Sequence, residues 1–393
     1  MAIHVGRNFC IAPFTQITLN PGGGYSPCPE IGGRPWAATD FNFSNLWNDD
    51  NFAALRDSFS KNQQNSVCNR CWDQEKVDMQ SLRKRLFTTP YLKENIIEFL
   101  DRDYKKGPRQ INLMVGNLCN LRCRICTAGV SVTYNKEGEF YEKKHNLINT
   151  RYTSEIKKPI EFSQEQIDQI VEFSSNLIRL EFYGGEPLLD TATFSLLEKL
   201  IANGRSKKIT LFYNTNGVVK PSQQHFELWN QFKALEFNLS YDDIGARFNY
   251  ARYPAKWGNA LTNLDHMRNN NLDVPVQFTA ICTVSILNVY YLREIIKELN
   301  HLSLPFFLNT VNDPDYYNIR YLPNPIKTEI SNHLGNDLPG IGVILNMLRL
   351  DTEKNHWEEF KFWTKEKDAY RDEDFAVTYP EFYSLLHRYD DTF

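Results

Sequence analysis

The sequence predicts an α/β protein in which strands and helices alternate from residue 108 onward. Six apolar runs of strand length, separated by stretches that include helical ones, lie at residues 111–118, 178–183, 208–213, 235–239, 274–283 and 305–311. Such alternation is typical of parallel β/α units. Glycine and polar motifs follow several of these runs directly. Because β/α barrels build their sites at the carboxyl ends of strands, these motifs predict where the site lies.

Length and charge narrow the class of protein. The chain has 393 residues, which is enough for two or three domains with a sizeable core. Its formal net charge is -4 with both signs interspersed, so neither nucleic acid nor an anionic membrane is an expected partner. Residues 1–8 lack an apolar signal-peptide core, and the sequence contains no apolar run long enough to span a membrane. We therefore expect a cytoplasmic protein.

The first unit, residues 1–107, carries four of the eight cysteines. Residues 14–19 alternate like a strand, residues 20–24 form a glycine-rich turn and residues 25–28 return, so this hairpin brings Cys10 and Cys28 together. After a helical stretch, Cys68 and Cys71 form a Cys-x2-Cys pair. In a reducing compartment these thiols are expected to bind metal, and four thiolates serve zinc and iron-sulfur clusters equally.

Three more cysteines follow the first strand of the second unit, residues 108–312. Cys119, Cys123 and Cys126 lie in the run Cys-Asn-Leu-Arg-Cys-Arg-Ile-Cys. A closed zinc site needs four ligands, so this trio would need a distant fourth one. A [4Fe-4S] cluster held by three thiolates instead keeps one iron open to a small molecule. The trio resembles the Cys-x3-Cys-x2-Cys signature of radical S-adenosylmethionine (radical SAM) enzymes, whose open iron chelates S-adenosylmethionine.

A second motif, Gly184-Gly185-Glu186-Pro187, ends the strand at residues 178–183. Two glycines let the backbone approach a ligand closely, and Glu186 supplies a negative charge suited to an ammonium group. Taken alone the motif is an ordinary turn. The resemblance implies that it holds the amino group of S-adenosylmethionine.

The resemblance also implies roles for residues at other strand ends. Ser240 and Arg252 resemble the positions that contact the ribose and carboxylate of S-adenosylmethionine, and an arginine fork suits a carboxylate. A surface arginine and a capping serine are the alternative. Asn214 is a candidate for the same pocket, and Ile125 would lie against the adenine. Cys282 lies in an apolar strand and is expected to be a buried thiol.

The fold that the resemblance implies is a partial (β/α)6 TIM-like barrel over residues 108–312. Residues 127–162 show no clear periodicity and are expected to form a substrate-facing lid. Residues 313–393 are helical and aromatic, and we expect them to form a cap over the barrel without chemistry of its own. The four cysteines of residues 1–107 resemble the auxiliary-cluster domains called SPASM and twitch, although these usually follow the barrel.

Together these features resemble those of an oxidoreductase-type radical SAM enzyme. In the family, reductive cleavage of S-adenosylmethionine at the [4Fe-4S] cluster yields a 5'-deoxyadenosyl radical that takes a hydrogen atom from substrate. The auxiliary domain implies a second [4Fe-4S] cluster and a peptide or protein side chain as substrate, as in maturases; a small-molecule substrate stays open. An electron donor such as flavodoxin or ferredoxin is the expected partner. The competing interpretation is a non-catalytic zinc-binding interaction module.

Overall fold

The computed structural model describes residues 6–31, 36–38, 41–76, 80–89, 96, 100, 104–148, 150–270, 272–350, 352 and 354–393. The strands within these residues are β1 Gln16–Leu19, β2 Gly24–Ser26, β3 Trp36–Ala37, β4 Gln110–Met114, β5 Arg179–Tyr183, β6 Thr210–Thr215, β7 Ala234–Ser240, β8 Val276–Val284 and β9 Phe306–Thr310. The six strands predicted for residues 108–312 are all present. The first one ends earlier than predicted, at Met114, so residues 115–118 belong to the loop that carries the cysteines.

Helices fill the connections between the strands. Their bounds are α1 Ala12–Thr15, α2 Phe43–Trp47, α3 Asp50–Ser60, α4 Asn69–Lys76, α5 Leu82–Thr88, α6 Asn135–His145, α7 Gln164–Glu172, α8 Ala192–Ala202, α9 Gln223–Trp229, α10 Gly245–Ala251, α11 Trp257–Asn269, α12 Leu292–His301, α13 Asn324–Leu334, α14 Ile341–Leu348, α15 Trp357–Arg371, α16 Phe375–Thr378 and α17 Pro380–Tyr389. None of the helices in the described ranges is long and apolar enough to cross a membrane.

One sheet runs through the molecule in the order β3-β2-β1-β4-β5-β6-β7-β8-β9. Strands β4 to β9 are parallel neighbours in chain order, as expected for consecutive β/α units. Strand β1 adds to the other side of β4, also in parallel, with Gln16 opposite Gln110. The sheet therefore crosses the boundary that we expected at residue 107, and the first unit is built onto the barrel strands.

The sheet curves around a polar cavity. Side chains from every one of the parallel strands, β1 and β4 to β9, line a space of about 410 Å³, from Gln16 on β1 to Asn309 on β9. Along β7 the buried residues Leu235, Phe237 and Leu239 alternate with residues that are less buried, and of the latter Asn238 and Ser240 line the cavity. Alternation of this kind puts one face of a strand against its helices and the other into the lumen. The architecture is a partial barrel.

Two local expectations are wrong. Phe14 and Thr15 belong to the helical turn α1 and not to a strand, because Pro13 lies in the first turn, where its fixed φ favours a helix start, and Thr15 Oγ1 donates to Ile11 O (3.0 Å). Residues 127–162 include helix α6. Its buried face is made of Tyr141 and Glu137 in place of aliphatic residues, so no apolar periodicity marked it.

The C-terminal segment is helical, as expected, and its helix α15 lies beside the loop that carries the cysteines. Trp363 on α15 packs against Tyr152 and Tyr141, with ring centroids 4.8 and 5.4 Å apart. Lys367, one turn further along, reaches the loop that carries the cysteines. Tyr141 and Tyr152 thus pack residues of the predicted lid against α15, and the expectation that this segment faces the substrate stays a prediction.

Candidate active site

The three cysteines of the second unit lie on the loop that follows β4. The amide of Cys126 donates to Cys123 O (2.9 Å), and the amide of Leu121 donates to Cys119 Sγ (3.4 Å). Burial raises the pKa of the Cys126 thiol to about 12, with Cys123 adding to the rise. Burial likewise raises the pKa of Cys119, and both Cys123 and Cys126 contribute. The loop therefore gathers three thiols that resist ionisation until a metal centre or another cation stabilises the thiolates.

The Gly-Gly-Glu-Pro motif supports this loop through backbone contacts. Gly185 N donates to Gly116 O (2.9 Å), and Glu186 N donates to Leu118 O (2.8 Å). A Cβ atom on Gly185 would lie 2.1 Å from Leu118 O, and Gly184 has φ +115°, which favours glycine. The two glycines thus allow the backbone of the motif to approach the residues before Cys119 closely. This packing role was not predicted from the sequence, which led us to expect a ligand contact.

Glu186, which follows β5, forms hydrogen bonds to the end of β6. It is buried, its Oε1 accepts from Thr215 Oγ1 (2.7 Å) and Leu188 N (3.1 Å), and its Oε2 accepts from Asn216 N (2.8 Å). Burial raises the pKa of this carboxyl, and these hydrogen bonds oppose the rise. Its charge is felt at Cys119, whose pKa it raises. Pro187 follows as the first residue of a 3-10 turn.

Arg252 is a buried cation beside Cys123. Its Nη2 lies 2.6 Å from Asp242 Oδ2, and its Nη1 donates to Cys123 Sγ at 3.9 Å. Its Nε is buried, and no hydrogen-bond acceptor for it lies within the described residues. A buried guanidinium with an unused donor beside a thiol fits an anionic group at this position.

Two of the other predicted cosubstrate residues lie in the barrel lumen. Ser240 and Asn214 line the polar cavity together with Asn238, the residue opposite Asn214 on β7. Ile125 is partly buried against the core. The structure thus brings the cysteines, Glu186 and Arg252 together, while Ser240 and Asn214 face the lumen. Cys282 is a buried thiol on β8, as expected.

The sequence analysis missed a set of charged residues behind the cysteine loop. Lys367 Nζ donates to Arg124 O (3.0 Å), and Arg371 Nη2 donates to Arg122 O (2.8 Å). Arg371 also forms a fully buried ion pair with Glu137, with 2.9 Å between Nη2 and Oε1. A signal was present: Trp363, Lys367 and Arg371 are spaced four apart and so share a helix face, where cations beside a large aromatic residue indicate burial with partners.

The four cysteines of the first unit lie together. Cys10, Cys28, Cys68 and Cys71 line one small cavity together with Leu82 and Leu86. Strand pairing of β1 with β2, Thr18 opposite Ser26, carries Cys28 back toward Cys10. Burial raises the pKa of Cys68 to about 12, with Cys28 and Cys71 adding to the rise. Within the described ranges no three His, Cys, Asp or Glu side chains are placed to hold a single metal ion.

Among known protein families, the model of the Radical SAM superfamily matches residues 113–302 of this chain. A curated relative, the radical SAM cyclopropyl synthase TigE of Paramaledivibacter caminithermalis, is 30% identical over 167 residues, which are 42% of this chain and 33% of TigE. The chain thus spans about a third of the length of this relative.

Two solved structures show a distant similarity. Native anSMEcpe with bound AdoMet is 17% identical with a TM-score of 0.41, covering 57% of this chain and 59% of that one. Streptococcus suis SuiB bound to precursor peptide SuiA is 11% identical with a TM-score of 0.37, and the match covers 84% of this chain and 64% of SuiB. The family match lies on the segment that carries both motifs. Residues 113–302 are therefore a radical SAM domain.

Proposed function

We propose that this chain cleaves S-adenosylmethionine reductively at a [4Fe-4S] cluster held by Cys119, Cys123 and Cys126. When bound, the cluster and S-adenosylmethionine would supply the 5'-deoxyadenosyl radical that takes a hydrogen atom from the substrate. The observation that carries the proposal is the grouping of three partly buried thiols with Glu186 and with Arg252, whose Nε has no partner within the described residues. In a [4Fe-4S] cluster held by three thiolates, one iron has a free coordination position, whereas the zinc ion of a closed structural site has none.

The surrounding residues suit the polar groups of S-adenosylmethionine. Glu186 accepts three hydrogen bonds, and a carboxylate has about four acceptor sites, so one site is left for the ammonium group. Arg252 offers Nε to the carboxylate and is held in place by Asp242. Gly184, Gly185 and Pro187 position Glu186, and Ile125, Ser240 and Asn214 are assigned to the adenosine part.

We assign the substrate to the polar cavity inside the barrel. Its lining is rich in amide side chains, each of which can both donate and accept hydrogen bonds, as peptide groups do: Gln16, Gln110, Asn112, Asn214, Asn238 and Asn309. A peptide or protein side chain fits this lining, which favours a maturase-type reaction. The volume of about 410 Å³ is also within the range of small-molecule sites, so a polar small molecule is the second candidate.

We assign a second [4Fe-4S] cluster to Cys10, Cys28, Cys68 and Cys71. Four thiolates leave no iron open, so its role would be electron transfer and not ligand binding. Glu30, Leu82 and Leu86 line both the cysteine cavity and the barrel cavity, so the two spaces are separated by single side chains. A substrate radical in the barrel would then lie within reach of an electron acceptor. Flavodoxin or ferredoxin is the proposed external electron donor.

Iron content tests both cluster assignments. Protein purified without oxygen should hold about eight irons per chain. The Cys123→Ala and Cys71→Ala variants should each lose about half of that iron, one from each centre. Stoichiometric zinc without iron would contradict the assignments and would support the interaction module.

Production of 5'-deoxyadenosine tests the reaction. With dithionite and S-adenosylmethionine, the wild-type protein should form 5'-deoxyadenosine, and Cys123→Ala should form none. Equal production by the two proteins would overturn the proposal. A substrate is identified as the peptide or small molecule that increases this production and itself loses a hydrogen atom.

A further inference from the structure

Helix α15 places a buried ammonium group behind the cysteine loop. Lys367 is 0% exposed, and its Nζ donates to the carbonyl oxygen of Arg124, in the segment between Cys123 and Cys126. The ring centroid of Tyr152 lies 4.1 Å from Nζ, which is close enough for a cation-π contact. Within the described ranges, no carboxylate forms an ion pair with this nitrogen.

A buried ammonium is costly unless negative charge faces it. The charged groups around Lys367 are Arg124, Arg371, Glu137 and Cys126. The nearby carboxylates are already engaged: Glu137 pairs with Arg371, and Asp368 and Glu373 pair with Arg124. Burial and Arg371 lower the pKa of Lys367, so the charged form of this side chain depends on negative charge that faces it. Of the anionic groups named here, Cys126 is left to face Lys367, once a bound cluster holds its sulfur as a thiolate.

We propose that Lys367 raises the reduction potential of the cluster that we assign to Cys119, Cys123 and Cys126. The inference rests on that assignment. A [4Fe-4S] cluster with three thiolates carries a net charge of about -1 when oxidised and about -2 after it accepts one electron from the external donor. A fixed positive charge favours the more negative, reduced state, and the charge around a cluster is one of the factors that set its potential. Lys367 would therefore make the cluster easier to reduce.

The test is a redox titration of the protein without substrate, followed by electron paramagnetic resonance. The signal that changes on adding S-adenosylmethionine identifies the cluster with the open iron and separates it from the auxiliary one. Lys367→Met and Lys367→Gln both remove the charge, and only Gln keeps a donor for the Arg124 carbonyl. Lys365→Met is the matched control, because Lys365 is exposed on the same helix and donates to Thr392 O (2.8 Å).

We expect both Lys367 variants to lower the midpoint potential of this cluster by at least about 59 mV, a tenfold lower ratio of reduced to oxidised cluster, with no change in Lys365→Met. An unchanged potential at normal iron content would overturn the inference, as would a shift in Met but not in Gln, which would assign the effect to the hydrogen bond. Folded variants that bind no iron would also overturn it, since Lys367 would then serve cluster insertion. Absence of a wild-type cluster at these cysteines would instead refute the proposed function.

Discussion

At the scale of single residues, Gly185 is a position with no room for a methyl group. Gly185→Ala would put a Cβ atom 2.1 Å from Leu118 O and 2.7 Å from Leu118 C, both backbone atoms before Cys119. We expect it to displace the cysteine loop and to lower the free energy of unfolding by roughly 2–4 kcal/mol, within the range of severe steric substitutions. Chemical denaturation and iron content measure the two effects.

The control is Gly258→Ala on α11, where a Cβ atom meets nothing within 4 Å. Alanine is the better helix former, so this variant should be neutral or stabilised by up to about 1 kcal/mol. Equal stability of the two variants would show that the loop adapts to Gly185→Ala.

Arg252 offers a test of cosubstrate binding that does not need turnover. Arg252→Lys keeps the charge but loses the fork that faces both Asp242 and Cys123 Sγ. We expect roughly 10–100-fold weaker S-adenosylmethionine binding, about 1.4–2.8 kcal/mol, measured by equilibrium dialysis on the iron-loaded protein. Arg247→Lys, an exchange at another buried ion pair, with Asp243, is the control and should bind normally. Unchanged affinity in Arg252→Lys would remove this residue from the site.

At the scale of elements, helix α9 has a histidine, His225, at the third helical position, where a capping box usually has glutamate or glutamine. His225 Nδ1 accepts from Ser222 N (3.1 Å), which requires the neutral ring, and burial lowers the pKa of His225 from 6.5 to about 4. The folded state then binds fewer protons than the unfolded state between these values. The stabilising contribution of the neutral His225 ring is therefore complete above pH 6.5 and decreases as the pH falls toward 4.

We compare the pH dependence of the unfolding free energy of wild type with that of His225→Gln. The glutamine keeps an acceptor for the Ser222 amide and cannot titrate. Between pH 7 and pH 4.5, wild type should lose about 2–3 kcal/mol more of its unfolding free energy than the variant. Denaturant titrations at both pH values measure it. Parallel pH profiles would mean that His225 is not held neutral in the fold.

At the scale of the whole molecule, the first unit and the barrel share their sheet and their core. Strand β1 pairs with β4, and the main core cluster includes Ile17, Tyr25 and Trp47 together with Ile111. Deleting residues 1–107 would leave the edge of β4 unpaired and this apolar surface exposed.

We therefore expect residues 108–393 alone to be insoluble or to lack a cooperative thermal transition, as measured by circular dichroism and sedimentation. Co-expression of residues 1–107 should restore a soluble complex. A fragment that melts cooperatively near the temperature of the full chain would instead establish the barrel as an independent domain.

The barrel strands could be predicted from the sequence because their apolar runs are continuous and bounded by turn residues. It reached the cysteine loop and the Gly-Gly-Glu-Pro motif because both are compact in sequence. It failed for α6, where Tyr141 and Glu137 form the buried face, and for α15, whose Lys367 and Arg371 look like exposed residues. Polar groups become core groups only when distant partners satisfy them, and those partners, such as Arg124 O for Lys367, are not visible along the chain.

The sequence by itself determined the parallel α/β class, the two cysteine groups and the loop on which three thiols meet, because each depends on local spacing. The tertiary structure decided that β1 joins the barrel sheet, that Glu186 ties β5 to β6, and that α15 puts an ammonium group behind the thiols. These features arise from contacts between segments far apart in the chain, where burial and charge compensation, not local propensity, select the partner.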